Sequence, residues 1–236
     1  MKKTVVAVCF LAFSISGCVT NPPRPAVQQA IYDLKINNAS RDEIFVEDIG
    51  ISLKPILLER AKNTESLFAT YRYWNPANPR QNGVGKDIMI SLPAFEVQVT
   101  NTSGHAVNFQ KTSIRLIDDA GNSYQAQLKQ DVLEFVDQQL NSVQSRGWAL
   151  DRTTAQSAAR SLKLFDKNYE SIPGIIEKRI LAFDTNNSTN ENAYRQMLRN
   201  TKYLKIIMHT VPVKFDQAGN VTRVSKFEYV FDVSRK

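Results

Sequence analysis

Cysteine is almost missing from this chain: 236 residues hold two, Cys9 and Cys18. Histidine and tryptophan are equally scarce, at two each. His105 and His209 stand far apart in sequence and have no thiols to join them, so a zinc-type ligand set is not expected. H-E-x-x-H, G-x-S-x-G and the phosphate-binding Gly-rich loop do not occur. The chain is therefore expected to be non-enzymatic and to carry no cofactor or metal. Nucleic acid is a poor expected partner, because the basic residues are scattered and no recognition motif is present. Long apolar runs are also lacking; none reaches the roughly 20 residues of a comfortable membrane span.

The sequence is rich in organisation at its start. Lys2 and Lys3 precede an apolar stretch over Thr4 to Phe13, and small residues fill Ser14 to Gly17. This three-part layout is that of a secretory signal. Its end, Ile15-Ser16-Gly17-Cys18, resembles the lipobox of bacterial lipoproteins. The competing reading is an ordinary cleaved signal that happens to contain a cysteine. The resemblance implies cleavage after residue 17, a diacylglyceryl thioether on Cys18 and further acylation of its new amino group. Each buried methylene adds about 0.8 kcal/mol, so several palmitate-type chains hold a protein firmly to a membrane. Val19 stands where an Asp would favour inner-membrane retention. The resemblance thus implies the outer membrane, facing the periplasm.

With residues 1–17 removed, 219 remain, holding 28 basic and 23 acidic residues, a net charge of +5. Cys18 is then the sole cysteine, so no internal disulfide can form and packing alone must stabilise the fold. Residues 18–28 carry the lipid and a Pro-rich polar tether. Residues 29–236 follow as the folded domain.

Within that domain, Ala30 to Ile36 and Ile44 to Leu53 each read as one strand, and Pro55 to Asn63 as a short helix. Residues 69–87 form a Pro- and Gly-rich long loop holding Tyr71, Tyr73 and Trp74. From Ala94 the apolar period is 2: Phe95, Val97 and Val99 share a face. A turn at Asn101-Thr102-Ser103-Gly104 is expected to return the chain through His105 to Phe109 as a hairpin. A second hairpin is expected across Asp118-Asp119-Ala120-Gly121-Asn122, with Ile114, Leu116, Tyr124, Ala126 and Leu128 inward. Asp118 and Asp119 suit turn chemistry better than acid/base chemistry, since strand neighbours point to opposite faces.

Helical spacing then appears at Val132, Leu133, Phe135, Val136, Leu140 and Val143. It recurs after Asp151, on a stripe ending at Phe165. Residues 129–169 are accordingly read as a helical insertion. Strands resume around residues 178–184. A short helix is expected near Tyr194 to Leu198. The strongest hairpin joins Tyr203 to Phe215 with Val221 to Val233 across Asp216-Gln217-Ala218-Gly219-Asn220.

The expected fold is mainly β with inserted helices. Three segments give it a resemblance to immunoglobulin-like domains of bacterial surface lipoproteins: Val97 to Thr102, Asp118 to Gly121 with Tyr124, and Pro173-Gly174 with Leu181-Ala182-Phe183-Asp184. The resemblance implies an antiparallel β-sandwich carrying the helical insertion. Two further readings stay open. One is a glycan- or peptidoglycan-binding role in which Tyr71, Tyr73 and Trp74 form a stacking platform. The other is an enzyme of unrecognised type. The leading expectation is a membrane-anchored module with an envelope protein partner. Replacing Cys18 by Ser (Cys18→Ser) is expected to abolish metabolic labelling with palmitate and release the protein from membranes; persistent labelling would overturn the anchor.

Overall fold

The computed structural model describes residues 32–37, 41–56, 69–72, 87–90, 93–145, 160, 163–183 and 193–235. The strands are β1 (Tyr32–Ile36), β2 (Glu43–Val46), β3 (Ile49–Pro55), β4 (Ala69–Arg72), β5 (Asp87–Ile90), β6 (Ala94–Asn101), β7 (Val107–Asn108), β8 (Ser113–Asp118), β9 (Ser123–Gln125), β10 (Glu170–Ser171), β11 (Lys178–Ala182), β12 (Tyr203–Phe215) and β13 (Val221–Arg235). The helices are α1 (Lys129–Ser145) and α2 (Ala193–Asn200). One sheet has the order β1-β13-β12-β8-β9 and a second β11-β6-β3-β2. Two small pairs, β10-β7 and β4-β5, complete the set, and each pairing between these strands is antiparallel.

The two large sheets pack face to face because each offers one apolar face. Ile49, Ile51, Leu53, Phe95, Val97 and Val99 come from one; Leu204, Ile206, Met208, Phe227, Tyr229 and Phe231 come from the other. All are buried in one cluster, with Phe95 and Phe231 ring centroids 5.1 Å apart across the gap. The Tyr229 hydroxyl crosses the same gap and donates to the Ile51 carbonyl at 2.5 Å. Burial pushes the Tyr229 phenol well above its ordinary pKa, so it stays a neutral donor. Such a satisfied buried bond contributes about 1 kcal/mol net, but leaving its acceptor unpaired would cost more.

Strand β12 keeps its apolar face inward through a change of phase. Leu204, Ile206 and Met208 point to the core at even positions, then Val211 and Val213 at odd ones. The extra residue lies between Met208 and Val211, opposite a two-residue step in β13 from Phe227 to Ser225. Thr210 there adopts φ 60°, and both His209 and Thr210 are exposed. A bulge of this kind resets which residues face inward and raises local twist.

Both hairpins predicted from Asp-x-Ala-Gly-Asn form, and they are built alike. Asp118 Oδ1 accepts from the Ala120 and Asn122 amides at 3.1 and 2.8 Å; Asp216 Oδ1 does the same from Ala218 and Asn220 at 2.9 and 2.8 Å. In each, the glycine amide returns to the Asp carbonyl at 3.0 Å, with φ of 87° at Gly121 and 83° at Gly219. That left-handed conformation is why glycine occupies the last loop position.

Several expectations are corrected. The stretch Ile44 to Leu53 is two strands, because Glu47 and Asp48 turn the chain between β2 and β3. This turn has no Gly or Pro; tertiary bonds hold it, with Asp48 N donating to Val213 O and Thr102 N to Asp48 O. The segment after Asn101 does not fold back on β6, whose two edges are already taken by β3 and β11; β7 pairs with β10 instead. Within the expected long loop, Ala69–Arg72 pairs with Asp87–Ile90. Pro55 ends β3 rather than opening a helix, and residues 57–63 lie outside the described residues.

Helix α1 covers the first part of the insertion and buries Val132 and Phe135 in the core. Residues 146–159 are outside the described set, while residues 163–169 are extended and turning, with Leu164 bridged to Ile180. The helix therefore does not run to residue 169. Residues 1–31, with the signal, Cys18 and the tether, also lie outside the described residues. Among the described residues no helix is long and apolar enough to cross a membrane.

The matched turns allow a controlled comparison of two substitutions. A Cβ at Gly121 meets nothing, whereas one at Gly219 meets the His105 ring at 3.1 Å. Gly121→Ala is expected to cost about 1–2 kcal/mol from the left-handed backbone alone. Gly219→Ala should cost measurably more in parallel urea melts.

Candidate functional site

A cleft of about 530 Å³ opens where β8 begins and α1 starts. Two of its walls are short turns rooted in one aromatic cluster. Phe109, Phe165 and Tyr169 lie together, with ring centroids 5.1 Å apart for Phe109 and Phe165, 5.6 Å for Phe109 and Tyr169, and 5.1 Å for Phe165 and Tyr169. All three are buried. The Arg179 guanidinium caps the Tyr169 ring at 4.8 Å, a cation–π contact. Burial raises the Tyr169 pKa. The segment carrying Phe165 is fixed to β11 by bonds from Phe165 N to Ile180 O and from Ile180 N to Lys163 O, each 2.8 Å.

Each turn leaves this cluster in the same manner. After Phe109, Thr112 N closes on Phe109 O at 2.8 Å, and the Asn108 side chain accepts from Gln110 N at 2.6 Å. After Phe165, Tyr169 N closes on Asp166 O at 2.9 Å, and Asp166 Oδ1 accepts from Asn168 N at 2.9 Å. Asn and Asp side chains favour such turns because they mimic a backbone acceptor. The result is that Lys111 and Lys167, each carried by one of these turns, both line the cleft. Neither lysine has an ion-pair or hydrogen-bond partner among the described residues.

The remaining wall is the strand-like path from Gln125 to Leu128. It is pinned by Ala126 N to Ile114 O at 3.1 Å and by Gln127 N to Ala182 O at 2.8 Å. Asp131, in the first turn of α1, accepts from Leu128 N at 2.8 Å and so caps the helix start. Ile114 is buried at the cleft floor.

A second feature is the distribution of exposed apolar side chains. Seven large ones are exposed among the described residues: Phe45, Ile172, Ile175, Ile176, Tyr203, Val221 and Val224. All except Tyr203 sit at one end of the sandwich. That end is marked by the Glu47–Asp48 turn, the close of β6 at Asn101, and the Asp216–Asn220 turn. Ile175 N donates to Ile172 O across Pro173-Gly174, and Gly174 N donates to Asn101 O, which ties the isoleucine turn to this end. Asn101 itself is buried and fully used: its Nδ2 donates to His105 O and Ser171 O, and its Oδ1 accepts from Ser103. The nearby charges are paired, Glu47 with Arg223 at 2.6 Å and Lys214 at 3.8 Å, and Glu177 with Arg179.

The residues singled out from sequence fare unequally. The Tyr71 backbone belongs to β4, but its side chain, and Tyr73 and Trp74 entirely, lie outside the described residues. Cys18 lies outside them too. His105 is half-buried against Phe215 and Gly219, and His209 is exposed in the β12 bulge. Asp118 is committed to its turn and to the Tyr124 hydroxyl at 3.2 Å, while Asp119 accepts from Lys202 N at 3.0 Å. No group of His, Cys, Asp or Glu suited to a metal occurs among the described residues. Sequence reasoning missed Lys111, Lys167 and the isoleucines. Asn108-Gln110 and Asp166-Asn168 were the available turn signals, and Ile172-Pro173-Gly174-Ile175-Ile176 was the available signal of an apolar turn.

The aromatic cluster predicts its own importance. Phe165→Ala should lower stability by about 3–5 kcal/mol in chemical denaturation. It should also broaden the Lys111 and Lys167 amide resonances, since both rims lose their common root.

No family model and no curated protein matches this sequence. Among solved structures, a conserved hypothetical protein from Bacillus anthracis aligns with 75% of this chain and 92% of its own, at 7% identity and a TM-score of 0.34.

Proposed function

We propose that this chain is a lipoprotein anchored through Cys18 to the outer membrane on its periplasmic side, acting as a non-enzymatic interaction module of the cell envelope. Its sandwich is taken as immunoglobulin-like, on the strength of the turn and strand segments quoted above. The observation that carries the reading is the polarity of the fold. Strand β1 enters beside the end of β13, with Tyr32 opposite Arg235. The exposed apolar side chains gather at the opposite end. A lipid on Cys18 would leave fourteen residues to reach Tyr32, at most about 46–50 Å when fully extended. Strand β12 alone has 13 residues, about 43 Å of rise. Folding the apolar end back onto the anchoring bilayer would thus need a nearly taut tether. An upright sandwich presents that end to an envelope protein partner instead, and apolar surface bordered by paired charges suits protein contact.

The test uses the lipidated full chain with a photo-crosslinking residue at position 172. The wild-type surface should yield a discrete cross-linked envelope protein. The double variant Ile175→Lys/Ile176→Lys should keep its melting temperature, lipid labelling and membrane fractionation while losing that cross-link. An unchanged cross-link in the double variant would remove the apolar end as the contact, and loss of membrane fractionation in wild type would remove the anchor.

A further inference from the structure

We propose that the outer edge of β13 takes up an extended protein segment as an added antiparallel strand. This rests on strand pairing and does not depend on a lipid anchor. Strand β1 already shows how that edge is used. It lies antiparallel on β13 from Arg235 to Phe231, and Asn37 N then donates to Val230 O at 2.8 Å. Below that bond β13 runs on to Val221 paired with β12, and no strand lies on its other side among the described residues. An added strand would continue the β1–β13 interface along the same edge.

The ladder decides which groups face outward. In an antiparallel strand the N–H and C=O of one residue point to one neighbour, and those of the next residue to the other. Val230 bonds toward β1, whereas Val233 N donates to Lys202 O beside β12. Even-numbered residues therefore face the outer edge. The extra residue between Met208 and Val211 belongs to β12, so the alternation in β13 continues down to Val224. Val224, Lys226 and Glu228 thus offer donor–acceptor pairs about 6.8 Å apart, the repeat of an extended chain. The other sheet edges differ. The outer side of β11 is bonded by Phe165 N and Lys163 O, β9 leads into the Ala126–Phe183 bridge, and β2 has only four residues.

The side chains select the segment. Val224, Lys226 and Glu228 share one face; Val224 is exposed, and Lys226 and Glu228 pair at 2.5 Å. A strand running in the direction of β1 meets Glu228 first, then Lys226, then Val224. Charge complementarity asks it for a basic residue, an acidic one two places on, and a β-branched one two further. A second copy of this chain fits less well. The longest antiparallel self-pairing that clears β1 centres on Ser225 and sets Lys226 diagonally beside its own copy, a like-charge contact.

The experiment is residue-resolved amide hydrogen exchange of the full chain, alone and with the capped peptide Thr-Lys-Val-Glu-Thr-Val-Thr. Alone, the Val224, Lys226 and Glu228 amides should exchange about tenfold or more faster than those of Ser225 and Phe227, which bond to β12. Saturating peptide should slow the three to the rate of their neighbours. The same peptide N-methylated at Lys, Glu and the last Val should not bind, and the peptide with Lys and Glu exchanged should bind more weakly. Lys226→Pro removes one outward N–H, which an edge strand tolerates; it should keep a cooperative melt and weaken the peptide about tenfold. Four results would each overturn the proposal: no protection by the peptide, equal binding of the N-methylated form, unaltered binding in Lys226→Pro, or slow exchange of the three amides in the monomeric chain alone. Protection that grows with protein concentration, with a dimer in sedimentation, would assign the edge to a second copy and overturn it as well.

Discussion

The pairing of β12 with β13 is the constraint on which the rest of the molecule depends. These are the two longest strands, of 13 and 15 residues, and they sit at the centre of the larger sheet with β1 on one side and β8 on the other. Their inner face supplies Leu204, Ile206, Met208, Phe227, Tyr229 and Phe231 to the core. The bulge at His209 and Thr210 keeps Val211 and Val213 on that face, where a regular strand would have turned them to solvent. The second sheet is then held by apolar contact and by the Tyr229 to Ile51 bond across the gap. With no cysteine in the described residues, no covalent link shares this work.

Several polar side chains among the described residues shape turns. Asp118 and Asp216 each fold a hairpin loop around themselves. The Asp216 carboxyl is held below its ordinary pKa chiefly by the Asn220 side chain, although it lies at the surface. Asn101 joins the end of β6 to the β10 region through buried bonds that leave none of its side-chain atoms unpaired. Buried amides that are fully satisfied specify one arrangement, because any other would leave them unpaired. The same chemistry, through Asn108 and Asp166, sets the rims of the cleft. Turn formation and cleft formation are here one process.

The molecule is asymmetric along its length. Chain entry and exit are at one end, and exposed isoleucine and valine side chains are at the other. The cleft lies apart from both, on the side where β8, β9 and α1 meet. The apolar end and the lateral cleft are therefore separate surfaces of the described fold.

Local sequence was sufficient wherever the deciding forces are local. The Asp-x-Ala-Gly-Asn turns, the alternation in β6 and β13, and the short α2 helix were all legible, because turn hydrogen bonds and apolar period act within a few residues. The lipobox resemblance at Cys18 is likewise a property of adjacent residues. Tertiary structure alone decided the rest. The Glu47–Asp48 turn has no local signal and exists because Val213 and Thr102 bond to Asp48. The partner of β7 was decided by the prior occupation of both β6 edges. The cleft and the apolar end gather residues from turns more than 50 positions apart, as Lys111 and Lys167 or Phe45 and Ile175 are. Such groupings depend on how sheets close over a shared core, and no periodicity along a chain encodes which distant turns will meet.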